Sequence, residues 1–206
     1  MKLYYSPGAC SLAPHIVGRE AGLDIELVKV DLGARKTEAG EDYLAINSKG
    51  YVPALRLDDG QVLTEVANLV QYLADRKPES GLAPAFGTLE RYRLIEWLTF
   101  ISSEVHKGFG PLWNPKGSEE SKQAAKDKLA TRIAWLDTQL AGKEFLMGNR
   151  FTAADAYAFT ILNWAGMHAV DLQPYPNVRG FMERVAARPK VQAALRAEGL
   201  LREKAA

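Results

Sequence analysis

One cysteine and three histidines stand among the side chains of this 206-residue chain whose types suit chemistry. The cysteine is Cys10, within Met1-Lys-Leu-Tyr-Tyr-Ser-Pro-Gly-Ala-Cys-Ser-Leu12. The thiolate is the reactive form of such a group, and a free thiol is only about 3% ionised at pH 7. Lowering its pKa by about two units makes thiolate the major form, for about 2.7 kcal/mol. Met1 to Tyr5 is strand-like, Pro7 and Gly8 break the strand, and an apolar helical run follows. Cys10 thus sits where a strand ends and a helix begins. Backbone N–H groups there lack intrahelical partners, and the helix dipole favours negative charge. The dipole supplies about 0.3–1 kcal/mol and at most about 2, so a cation or further hydrogen bonds must add to it. The alternative is a small, inert core cysteine.

The remaining candidates read as structural. Tyr5 alternates with Tyr4 on the strand and packs, whereas Ser11 caps the helix. Thr152-Ala-Ala-Asp155 is close to a capping box, so Asp155 is a structural carboxylate rather than a catalytic acid. His15 lies inside the first helix, and His168 lies near a helix end, where a charged imidazole suits the dipole. His15, His106, His168 and Cys10 show no metal-ligand spacing, so no metal is expected.

The elements that must position these residues follow from periodicity. A helix is predicted over about 11–21, with Pro14 in its first turn, and a strand over 25–32. That order implies a parallel right-handed crossover. A short helix is expected within 35–49, a hairpin around Asp58-Asp59-Gly60, and a helix on Val66, Leu69, Val70 and Leu73. The order β-α-β-α-β-β-α suggests a thioredoxin-like mixed sheet over 1–77. The Pro/Gly/Ser-rich stretch within 78–86 reads as a linker, and 87–206 as an all-helical domain. Thr88, Ser118 and Thr152 open successive helices there, the third running to about Ala169, and two shorter ones span about 177–187 and 189–197. The fold class is therefore α/β plus all-α.

Hydrophobic content of 47%, charged content of 25% and a net charge of +1 describe an ordinary globular chain with no field for nucleic acid or membranes. A lone cysteine forms no internal disulfide, and no signal peptide or transmembrane stretch is read, so a cytoplasmic location is expected.

Over essentially its whole length the chain resembles the bacterial beta-class glutathione transferases. The resemblance rests on residues 1–12, Tyr51-Val-Pro-Ala-Leu55, Leu63-Thr-Glu65 and Gln71-Tyr-Leu-Ala-Asp75. In the second half it rests on Ser103-Glu-Val-His-Lys-Gly-Phe109, Phe151-Thr-Ala-Ala-Asp-Ala-Tyr157 and Ala197-Glu-Gly-Leu200.

The resemblance implies that glutathione is a co-substrate and that Cys10 contacts its sulfur. It implies that His106 and Lys107 face Cys10 across a domain cleft. Val52-Pro53 resembles the family's cis-proline step, so the Val52 backbone would pair with the cysteinyl part of glutathione as an added strand would. Glu65 would take the γ-glutamyl ammonium, and N–H groups at the following helix start its carboxylate. Val66 departs from the Ser or Gly usual in relatives and lacks a side-chain donor. Arg35 stands for an expected lysine and would bind the glycyl carboxylate. Thr99, where relatives often carry Asn, and Glu104 would reach the partner subunit's site in a homodimer. Trp113 and Trp164 would line an apolar pocket for a small hydrophobic electrophile, with the other tryptophans mostly core.

The implied activity is conjugation of the glutathione thiolate to hydrophobic electrophiles, a detoxification reaction. A monothiol disulfide oxidoreductase or reductive dehalogenase, using Cys10 through a mixed disulfide, is the first alternative. A non-catalytic binding module of the same fold is the second, motivated by Val66.

Overall fold

The computed structural model describes residues 1–201. They form two compact units, Met1–Ala83 together with the segment from Ala187 onward, and Pro84–Ala186.

In the first unit β1 (Lys2–Tyr5), α1 (Leu12–Glu20) and β2 (Glu26–Asp31) make the expected crossover, with β1 and β2 parallel. Next come β3 (Lys36–Thr37), α2 (Tyr43–Ile46), β4 (Ala54–Arg56), β5 (Val62–Thr64) and α3 (Val66–Asp75). The sheet order is β3-β2-β1-β4-β5, with β3, β4 and β5 each antiparallel to its neighbour. The Asp58-Asp59-Gly60 turn closes the hairpin, with Gly60 at φ +87°, a conformation glycine adopts freely. Tyr4, Val30, Tyr43, Val52 and Ala54 pack together as one buried cluster of this unit. A short 3-10 turn, Pro78–Ser80, falls in the expected linker.

The element order departs from expectation at 35–49, where two-residue β3 precedes a helix of only one turn. The Arg35 backbone at φ 54° and the Lys36↔Asp42 bridge redirect the polar segment before Tyr43 anchors it.

In the second unit α4 (Leu89–Phe100) is capped by the Thr88 hydroxyl, which accepts from Arg91 N. It passes into a π-helical segment, Ile101–His106, and a 3-10 segment, Lys107–Trp113. Then follow α5 (Glu119–Leu140), capped by Ser118, α6 (Ala153–Leu162), α7 (Trp164–Met167) and α8 (Pro176–Ala186). The predicted third helix therefore ends early, with α7 opening after Asn163.

The last helix, α9 (Pro189–Ala197), belongs to the first unit by its packing on α1, although the expected helical domain was 87–206. Arg188 pairs with both carboxylate oxygens of Glu20 at 2.7 and 2.8 Å, and buried His15 meets Glu198 at 2.8 Å. Residues 202–206 of that expected domain lie outside the described residues.

Candidate functional site

Cys10 is half-buried in the loop between β1 and α1, where Pro7 and Gly8 end the strand and Gly8 takes φ +72°. Its thiol donates to the Val52 carbonyl at 3.3 Å. The Val52–Pro53 bond is cis, as the resemblance implied. The backbone ahead of it is held because the Tyr51 carbonyl accepts from Tyr43 Oη and Asn47 Nδ2, both at 2.7 Å. Burial pushes the Tyr43 phenol up to about 12, so it keeps the proton it donates.

The hydroxyls beside the thiol, those of Ser11 and Tyr5, sit in different surroundings. Ser11 is fully buried and gives no side-chain cap to α1; its Oγ accepts from Ser6 N and donates to Ser6 O at 3.2 Å each. The expected cap is thus replaced by a brace across the turn. Desolvation, then the charge of Glu198, raises the Tyr5 pKa, and its ring lies 6.4 Å from that of His15.

Glu65 lies between β5 and α3 with φ 71° and ψ 121°, a left-handed backbone that non-glycine residues rarely adopt. It precedes the first turn of α3, whose leading N–H groups lie outside the intrahelical ladder. Its carboxylate pairs with Lys49 Nζ at 2.6 Å, and the same ammonium donates to Thr64 Oγ1 at 3.0 Å. The Val66 side chain is buried, so only its backbone can serve a ligand. Arg35 is exposed, and its carbonyl accepts from Tyr43 N.

The predicted residues of the second unit divide in two. Thr99 Oγ1 donates to Ile95 O at 2.8 Å within α4, and Glu104 pairs with Arg132 Nε at 2.7 Å. His106 closes the π-helical segment, a helix form frequent at functional sites. Its Nδ1 lies 2.7 Å from Tyr157 Oη, and its ring meets Trp164 edge to face at 5.1 Å. Lys107 is exposed.

Beyond His106 the aromatic cluster continues. Trp164 meets Trp113 at 5.3 Å and Phe109 at 5.7 Å, and Trp113 lies 4.3 Å from His168. Trp164 is buried and Trp113, expected at a pocket, is 50% exposed, whereas Trp135, expected in the core, is 43% exposed. Burial, then Lys126, lowers the His168 pKa, and its Nε2 is buried without a hydrogen-bond partner among the described residues. The charged His168 expected from the dipole is therefore disfavoured, because α7 is one turn long and the ring lies against aromatics.

Asp155 is structural, as expected. It is fully buried, accepts from Thr152 N and Oγ1 at 2.7 and 2.8 Å, and reaches out to Leu146 N at 2.8 Å.

Three groups went unread in the sequence: Lys49 on Glu65, Tyr157 on His106 and Glu198 on His15. Tyr157 and Glu198 lie inside resemblance motifs, and Lys49 carried no local signal. Among the described residues no group of three or more His, Cys, Asp or Glu side chains could hold a metal ion, and no helix is long and apolar enough to cross a membrane.

Residues 8–76 match the family model for the glutathione S-transferase N-terminal domain, and residues 100–189 that for its C-terminal domain. Over 200 residues the chain is 48% identical to glutathione S-transferase GstA of Escherichia coli O157:H7, covering 97% of this chain and 100% of the relative. A sphingomonad glutathione S-transferase complexed with glutathione is 52% identical, with a TM-score of 0.94 over 98% of this chain and 100% of that one. A bacterial beta class glutathione S-transferase of Sphingomonas chungbukensis is 50% identical, with a TM-score of 0.95 over 98% and 100%.

Proposed function

The chain belongs to the glutathione S-transferase family and is an enzyme that transfers glutathione, and from that premise we propose how its residues divide the reaction. The glutathione thiolate attacks an electrophilic carbon of a small hydrophobic compound. A sulfur–carbon bond forms and the leaving group departs with its electron pair.

Cys10 is the neighbour of the attacking sulfur. The Val52 backbone pairs with the cysteinyl portion of glutathione. Glu65 takes the γ-glutamyl ammonium, the Val66 amide its carboxylate, and Arg35 the glycyl carboxylate. His106 and Lys107 supply positive charge toward the thiolate. Thr99 and Glu104 serve the partner subunit's site of a homodimer, and Trp113 with Trp164 receives the electrophile. A cytoplasmic detoxification role completes the proposal.

The carrying observation is the 3.3 Å bond from Cys10 Sγ to the Val52 carbonyl. It puts the one thiol of the chain against the backbone step assigned to glutathione. Purified protein is expected to conjugate glutathione, at millimolar concentration, to an activated aromatic halide. No detectable turnover would sink the proposal.

A further inference from the structure

The tail motif Ala197-Glu-Gly-Leu200 has no part in the assignments above, yet it is the end of α9 that meets the thiol loop. Gly199 takes φ +73°; its N–H donates to Arg196 O at 3.0 Å, and Leu200 N donates to Leu195 O at 2.8 Å. This pair of bonds is a Schellman turn, which needs glycine at its left-handed position. It reverses the chain and sets Glu198 and Leu200 beside Gly8. A Cβ added to Gly8 would lie 3.4 Å from Leu200 Cδ2.

The Glu198 side chain is fully buried. Its Oε2 accepts from Gly8 N at 2.9 Å and its Oε1 meets His15 Nδ1 at 2.8 Å. Arg19 Nε donates to His15 Nε2 at 2.7 Å. A guanidinium is only a donor, so Nε2 accepts and the imidazole proton sits on Nδ1, directed at Glu198. The order is therefore guanidinium, neutral imidazole, carboxylate, backbone amide. The turn that receives this grip carries both Pro7 and Gly8, and glycine leaves it conformational freedom. Ser11 braces the turn at Ser6, but Gly8 lies at its far end.

We infer that Glu198, oriented by His15 and Arg19, is a positioning residue that sets the Gly8 amide and through it the loop presenting Cys10. The inference rests on Cys10 being the sulfur neighbour in the glutathione site. It assigns the tail motif a role in activity, where packing of α9 on α1 alone would need none.

Cys10 is the one cysteine of the chain, so its alkylation by iodoacetamide reports the loop without any need for glutathione. Released from Glu198, the loop exposes Cys10 and loosens the thiol's bond to Val52. Glu198→Ala is expected to raise the alkylation rate at least about 5-fold, well below its unfolding temperature, by local opening. It is also expected to raise the KM for glutathione more than it lowers kcat. An Ala variant that is less stable yet alkylates at the wild-type rate, with unchanged KM, overturns the inference and leaves a packing role only. Should Glu198→Ala not fold, Glu198→Gln keeps the shape and one acceptor oxygen. Its alkylation is then expected to rise about 2-fold or more, and a wild-type rate overturns the inference. Wild-type protein that fails to bind glutathione would refute the site assignment, while the alkylation comparison would still judge the tail.

Discussion

Cys10 Sγ and the Val52 carbonyl lie 3.3 Å apart across 42 positions of sequence, with the thiol as donor. The bond uses the proton of the sulfur, so a mixed disulfide at Cys10 forfeits it. The attacking sulfur of a conjugation reaction belongs to glutathione and needs no such sacrifice. Cys10→Ala is therefore expected to keep conjugation within about 10-fold of wild type, since one thiol contact is worth about 1 kcal/mol. The glutathione adduct seen by mass spectrometry after incubation with oxidised glutathione is expected to vanish. Conjugation abolished by this one change would make Cys10 itself the activating group.

Glu65 presents its carboxylate beside α3, but Lys49 already holds it at 2.6 Å. Both partners are well exposed, so the pair is worth about 0–1 kcal/mol and is readily exchanged for a ligand ammonium. With Glu65 as the proposed partner of the glutathione ammonium, Glu65→Gln is expected to remove a charge-assisted bond and raise KM for glutathione about 10-fold or more. Lys49→Met removes a competitor. It is expected to change stability by less than about 0.5 kcal/mol and to leave KM unchanged or lower. A KM raised by Lys49→Met would instead make Lys49 a ligand for a glutathione carboxylate.

Local chemistry was legible in the sequence, and contacts distant along the chain were not. The strand, turn and helix around Cys10, the Asp58-Asp59-Gly60 hairpin and the caps at Thr88 and Ser118 each depend on residues a few positions apart, and each stands as expected. Ser11 misled because a serine at a helix start usually caps it, whereas here its hydroxyl reaches back to Ser6. The two residues of β3 are too few to show a period. The π-helical turn before His106 left no periodic mark on a continuous amphipathic run. Nothing local marked Glu198 for burial, and its partners His15 and Gly8, 183 and 190 positions earlier, explain it.

Asp155 ties the loop between α5 and α6 to the start of α6 through three accepted bonds, two from Thr152 and one from Leu146. Asp155→Ala strands the Thr152 and Leu146 amides in a fully buried site. The expected cost is about 3 kcal/mol or more, read as a lower denaturant midpoint. A loss below about 1 kcal/mol would mean that water replaces the carboxylate.

The same carboxylate gives stability a defined pH dependence. Burial pushes Asp155 up to about 6, because loss of hydration outweighs the bonds that favour its charge. Its unfolded value is about 3.9. Between these values the folded chain binds more proton than the unfolded one. The contribution is fully present below about pH 4 and is lost as pH rises through about 6, a change of order 3 kcal/mol. Asp155→Asn cannot titrate. The stability of wild type minus that of Asp155→Asn is expected to fall from pH 4 to 6.5 and to level above it. A difference that rises with pH would show that the bonds from Thr152 and Leu146 outweigh the burial.

His106 and Tyr157 share a 2.7 Å bond inside the second unit, with the phenol almost fully buried. The ring is further set by its edge contact with Trp164. Tyr157→Phe keeps the packing and removes the hydroxyl, so a stability loss of only about 1 kcal/mol is expected. The functional effect is expected to be larger in one parameter than the other. With His106 in its proposed role, an imidazole free to rotate stabilises the developing charge less well, so kcat is expected to fall about 5-fold or more while KM for glutathione changes little. His106→Asn, combined with Tyr157→Phe, separates the two residues. If Tyr157 acts through His106, the double variant is no slower than His106→Asn alone, since the phenol then has no imidazole to orient. Additive losses would give Tyr157 a role of its own.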